Sequence, residues 1–135
     1  MSLYKPAGHN AVSPFLMVAD ARAILAFLVA TFAATELDRR TAPDGSIKHA
    51  EVRIDDSVVM LGERPAGTHA AACSNHVYVA DVDACYRRAL AAGGQSVVEP
   101  RDQPYGDRSA GIRDPEGNLW WLGTHLGRPD AGRGR

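Results

Sequence analysis

The side chains that could do chemistry fall in three short stretches. His49, Glu51 and Arg53 alternate along one apolar segment, and this spacing sets all three on one face of an extended strand. His76 stands between Ser74 and Tyr78 at the same period of two, and the pair Trp120-Trp121 lies far along the chain. Imidazole and carboxylate are the groups of general acid–base catalysis and of transition-metal sites. If their segments face one another, His49, Glu51 and His76 form either a metal set or a metal-free site with His76 or Glu51 as base. Each group also has a plainer reading, since an isolated strand histidine is more often a hydrogen-bonded structural residue and a mixed His-Glu-Arg face is more often a wet one. His9, His69 and His125 fall in loops or near the ends, where solvation is expected. Cys73 and Cys85 are neither at CxxC spacing nor numerous enough for a disulfide framework. Cys85 reads as a small core residue, and Cys73 is assigned no chemistry.

The elements that must position these groups come twice. Val18-Ala19-Asp20 recurs 61 residues later as Val79-Ala80-Asp81, each time closing an apolar strand and opening a segment of helical period. The aspartate is the expected N-cap in both. Ile24, Leu25, Phe27, Leu28 and Phe32 form one helical stripe, Val82, Cys85, Tyr86, Ala89 and Leu90 form another, and Gly93-Gly94 stops the second helix. Ala50-Glu51-Val52-Arg53 matches Ala110-Gly111-Ile112-Arg113, and Leu61-Gly62 matches Leu122-Gly123. Period-two alternation predicts strands at 12–18, 35–41, 47–54 and 57–62, then at 74–80, 96–101, 106–113 and 118–124. The turns Pro43-Asp44-Gly45 and Gln103-Pro104-Tyr105-Gly106-Asp107 separate corresponding strands.

The expected fold is therefore α+β: two βαβββ repeats, about 12–62 and about 74–124, whose curved mixed sheets surround a shared cleft with the helices on the outer faces. One domain is expected over 1–126, with 127–135 as a flexible tail of Gly, Arg, Pro and Asp. Strand phase sends Leu16, Val18, Val77, Val79, Trp120 and Leu122 toward the helices. Ser13, Phe15, Met17, Ser74, His76, Tyr78, Leu119 and Trp121 then face the cleft. A chain of 135 residues with a formal charge of −1 offers no field for nucleic acid or anionic membrane. It carries no membrane-spanning apolar run and no secretory layout at Met1 to Asn10, so a cytoplasmic location is expected.

The duplicated plan, the strand-Val-x-Asp-helix starts and above all Asp114-Pro115-Glu116-Gly117-Asn118 before an apolar last strand resemble the glyoxalase / bleomycin-resistance / extradiol-dioxygenase group, the vicinal oxygen chelate superfamily. Pro43-Asp44-Gly45, His49-Ala50-Glu51 and Tyr105-Gly106-Asp107-Arg108 look like its bacterial glyoxalase-like or bleomycin-resistance-like branch. The resemblance implies metal ligands, His or Glu, at the places held here by Ser13, Met60, Ser74 and Trp121. None of these four is a normal ligand for such an ion, so the resemblance points to the metal-free, antibiotic-binding branch, with no cofactor and no catalytic residue. The implied function is sequestration of a flat aromatic antibiotic or natural product in drug resistance or self-protection, with Phe15, Met17, Met60, His76, Tyr78, Tyr105, Arg108 and Trp121 as the ligand-binding set. The alternative is a lyase or isomerase of glyoxalase or dioxygenase type using a noncanonical metal or a His/Glu acid–base site. Relatives of this plan imply a homodimer with clefts shared between chains, across which Leu3 to Asn10 could reach.

Overall fold

The computed structural model describes residues 4–127. The expected tail, apart from Gly127, lies outside the described residues. The order is β1 (Phe15–Val18), α1 (Ala21–Phe32), β2 (Thr35–Thr41), β3 (Ile47–Ile54), β4 (Ser57–Glu63), β5 (Ser74–Tyr78), α2 (Val82–Ala91), β6 (Gln95–Asp102), β7 (Asp107–Arg113) and β8 (Leu119–His125). This is β-α-β-β-β twice. The strands form two four-stranded sheets, β1-β4-β3-β2 and β5-β8-β7-β6. In each, the opening strand runs parallel to the closing one and the remaining pairs are antiparallel.

Both helices start where the repeated aspartate predicts. Asp20 accepts a hydrogen bond from the Ala23 amide and Asp81 from the Ala84 amide, each 3.1 Å long. A left-handed Ala33 ends α1, and Gly93, at φ +100°, follows the last turn of α2. The first strand begins at Phe15 rather than residue 12 because Pro14 has no N–H to give a ladder, although its carbonyl still accepts from the Met60 amide. The fifth ends at Tyr78 rather than residue 80.

One hydrophobic core joins the halves. The whole stripe of α1 is buried, with Leu16, Val18, Ala50, Val52 and Leu61 beneath it, and the same core takes in Val82, Cys85, Ala89, Ile112, Trp120 and Leu122 of the second half. Each such large apolar side chain contributes about 2 kcal/mol of burial. The α2 stripe is only partly covered, for Leu90 remains exposed. The join runs through the helices: α1 packs on α2, Phe32 lies against Trp120 with ring centroids 5.3 Å apart, and Arg88 of α2 donates to the Thr31 carbonyl. Burial pushes the Cys85 thiol up to about 11, as suits a core residue rather than a nucleophile.

The turns fasten each half to the other. Glu116, in the β7–β8 turn, accepts from the Ala19 and Asp20 amides ahead of α1. The buried Asp114 carboxylate organises that turn, accepting from the amides of Glu116 and Asn118, from the Asn118 side chain and from the Trp120 indole.

Candidate functional site

With the helices filling one side of each sheet, the other side is open, and the strand phase puts the expected residues there. On the first sheet Phe15, Met60 and Glu51 lie side by side across β1, β4 and β3, because their positions are directly paired. On the second, His76, Trp121 and Gly111 form the matching row across β5, β8 and β7. Phe15, Met17 and Tyr78 are 43%, 37% and 61% exposed, while Leu16 and Val18, which alternate with the first two, are buried, as is Trp120 beside Trp121. By itself one chain presents two open faces, one per sheet.

Glycine shapes the second face. A Cβ on Gly111 would come within 2.4 Å of Trp121, so the indole lies flat over the β7 backbone. A Cβ on Gly123 would come 3.0 Å from the His76 ring, which stands edge-on to Tyr78 at 4.6 Å. The Tyr78 hydroxyl donates to Asp107, whose other oxygen is bound by His125 at 3.0 Å. That anion, with Tyr105 adding a smaller push, raises the Tyr78 phenol above its ordinary value.

The first face carries a cluster whose third member was not expected. Glu51 Oε2 is bound by His49 Nε2 at 2.8 Å, and Glu51 Oε1 by His9 Nε2 at 2.7 Å. The hydrogen bonds from His49 and His9 hold the Glu51 carboxyl below its usual range. His9 is thus a partly buried member of the cluster, not a solvated loop residue. It is brought there by an arm that lies on its own sheet: the Gly8 carbonyl accepts from Arg53 and the Asn10 side chain accepts from the Val58 amide. Within the chain, Gly8 and Asn10 are thus held on their own sheet.

The triple His49, Glu51 and His76 does not assemble within the chain, since His76 belongs to the other sheet and packs on Tyr78. Arg108 also leaves the set. It shares the helix-side phase of Ala110 and Ile112 and is bound bidentately by Asp83 of α2, at 2.8 and 3.0 Å, and by Asp102. Tyr105 lies in the loop before β7, 41% exposed. A groove of about 530 Å³ follows the edge of β5 and the β3–β4 turn, and of the expected ligand-binding set it touches His76 and Tyr78. The second, about 340 Å³, is a shallow depression around Phe32, Asp55 and Arg88.

The chain belongs to the Glyoxalase/Bleomycin resistance protein/Dioxygenase superfamily, whose family model matches residues 8–122. Uncharacterized proteins of Mycobacterium bovis and Mycobacterium tuberculosis are 39% identical to it over 124 residues, 84% of this chain and 82% or 73% of theirs. Among solved structures, TioX from Micromonospora sp. ML1 is similar with TM-score 0.71 and 30% identity, covering 85% of this chain and 95% of that one. A family enzyme from Burkholderia phytofirmans is similar in fold, with TM-score 0.70 and 19% identity over 83% of this chain and 95% of its own. The fosfomycin resistance protein FosX from Listeria monocytogenes is similar likewise, with 0.66 and 20% over 85% and 92%.

Glyoxalases and dioxygenases of this superfamily imply a divalent metal, and the donor chemistry here does not fit one. At the positions where the resemblance expects ligands, the Trp121 indole N–H donates to the Ser74 hydroxyl at 3.1 Å, and Ser13 accepts from Asn10. An indole nitrogen has no lone pair to give, and hydroxyl and thioether are weak ligands for Zn, Mn or Fe. Around Glu51 the two Nε2 atoms point hydrogens, not lone pairs, at the carboxylate. Among the described residues no group of three or more His, Cys, Asp or Glu is placed to hold a metal.

Proposed function

We propose that the protein is a metal-free binder of flat, partly aromatic natural products, acting by sequestration in drug resistance or self-protection. The observation that carries this reading is the row His76–Trp121 beside Tyr78 on one sheet and Phe15, Met17 and Met60 on the other: aromatic and thioether side chains accessible to solvent, with Trp121 and Met60 at positions where a metal enzyme would keep ligands. Stacking on such side chains contributes about 1 kcal/mol per aromatic pair beyond the area buried. The ligand-binding set is Phe15, Met17, Met60, His76, Tyr78 and Trp121, with Tyr105 at its rim. The resistance proteins among the structural neighbours support the class of function without naming a ligand for this chain.

The two faces belong to one site if two copies pair so that the first sheet of one chain covers the second sheet of its partner. β1 and β5 each have a ladder partner on one side only, so their free edges are available for such pairing. The functional assembly is a homodimer with shared clefts in the cytoplasm. Among the described residues no helix is long and apolar enough to cross a membrane.

Titration of intrinsic tryptophan fluorescence with bleomycin-type, mitomycin-type and intercalating peptide antibiotics tests the reading. Saturable quenching by at least one, lost in Trp121→Ala, is the expected outcome. Absence of a response to every class overturns it.

A further inference from the structure

The cluster His9–Glu51–His49 has a directionality that the aromatic-binding reading leaves unused. An ionised carboxylate only accepts hydrogen bonds, so each imidazole must present Nε2–H to it. Both Glu51 oxygens are then occupied, and what remains to meet a ligand is the Nδ1 side of the rings. Nδ1 of His9 is buried with no partner. With both ring nitrogens so placed, His9 offers a ligand no open atom, and its role is to hold the Glu51 carboxylate in position. The His49 side chain is 24% exposed on the first face, and among the described residues its Nδ1 makes no hydrogen bond. The His49 ring stands 5.7 Å from the Phe15 ring, tilted by 53°.

We propose that His49, oriented by Glu51 and His9, accepts a hydrogen bond at Nδ1 from an aromatic hydroxyl of the ligand, so that the protein's ligands are phenols or hydroxylated heteroaromatics. The proposal rests on the aromatic-ligand reading and specifies its chemistry. The other ligand classes meet the wrong group. A cationic amine seeks the Glu51 oxygens and finds both covered by N–H. A carboxylate or phosphate faces the imidazole lone pair of His49, which repels it. A neutral hydroxyl gains, because a carboxylate behind an imidazole makes its far nitrogen a stronger acceptor. Phe15 then receives the ring that carries the hydroxyl.

The test uses a matched pair of probes on the full chain: 2-naphthol and 2-methoxynaphthalene, which share the ring system but differ in the donor. Binding of 2-naphthol about tenfold tighter is expected, the worth of one well-aligned neutral hydrogen bond. His49→Phe keeps a ring beside Phe15 and removes the acceptor. It should lower 2-naphthol affinity to that of the ether while leaving the ether unchanged. Equal affinity of the two probes for the wild-type protein overturns the hydroxyl proposal and leaves the aromatic site standing; failure of both to bind removes the aromatic site with it. Should His49→Phe not fold, nitrogen NMR of the wild-type histidines decides: His49 must carry its proton on Nε2 in the free protein, and its Nδ1 resonance must move on adding 2-naphthol but not the ether. A proton on Nδ1 of free His49 overturns the proposal.

Discussion

At the scale of single residues, Glu51 is the group whose ionisation the fold uses. Its carboxyl is held below the ordinary 4.5 by the hydrogen bonds from His49 and His9, so its contribution to stability is complete above that value and is lost as the pH falls through the lowered folded value. The side chain is 15% exposed, so solvent screens the interaction only partly. Glu51→Gln should therefore cost about 1 kcal/mol in urea melts at pH 7, and the gap between the two proteins should narrow as the pH is lowered below the ordinary carboxylate range. A gap that persists unchanged in acid would show that Glu51 matters for its shape and not its charge. The residue scale is also where sequence was least informative. His9 lies in a coil arm with no periodicity, and its partner is 42 residues away. Arg108 was expected among the ligand-binding residues, but alternation along β7 turns it to α2 and Asp83.

At the scale of elements the chain was far more legible, because alternation and capping are local. One-residue phase separates Trp120 from Trp121: the first is buried against Phe32, the second lies open over Gly111. The recurring aspartates Asp20 and Asp81 cap both helices as their position implies. Asp114-Pro115-Glu116-Gly117-Asn118 was recognised by resemblance, but its physical work emerges only in three dimensions, where the buried Asp114 carboxylate receives the Trp120 indole and the turn amides together. Asp114→Ala should leave those donors without an acceptor and destabilise the fold by on the order of 3 kcal/mol. Asp114→Asn, which retains one carbonyl acceptor, should cost less. Thermal melts with near-ultraviolet circular dichroism check both, the latter reporting the loosened Trp120. Equal melting temperatures for wild type and Asp114→Ala would remove the turn from the account of stability.

At the scale of the whole molecule, the repeat makes a claim that neither half makes alone. The two sheets share a core through their helices, so the faces bearing Phe15 and Trp121 lie on separate sheets within one chain, and the proposed dimer would bring them together between chains. If clefts are shared in a dimer, a chain carrying Phe15→Ala spoils one wall and a chain carrying Trp121→Ala spoils the other. Each homodimer is then defective in both clefts. Mixing the two variants and letting subunits exchange produces heterodimers in which one cleft has lost both walls and the other is intact, so about a quarter of the sites recover wild-type affinity after random exchange of equal amounts. Fluorescence titration of the mixture with whichever antibiotic or naphthol binds the wild type measures the recovered fraction through Trp120 and the surviving Trp121. Sedimentation of the separate variants confirms that both still pair. A site built within one chain predicts no recovery at any ratio, because every chain in the mixture would still carry its own damaged wall.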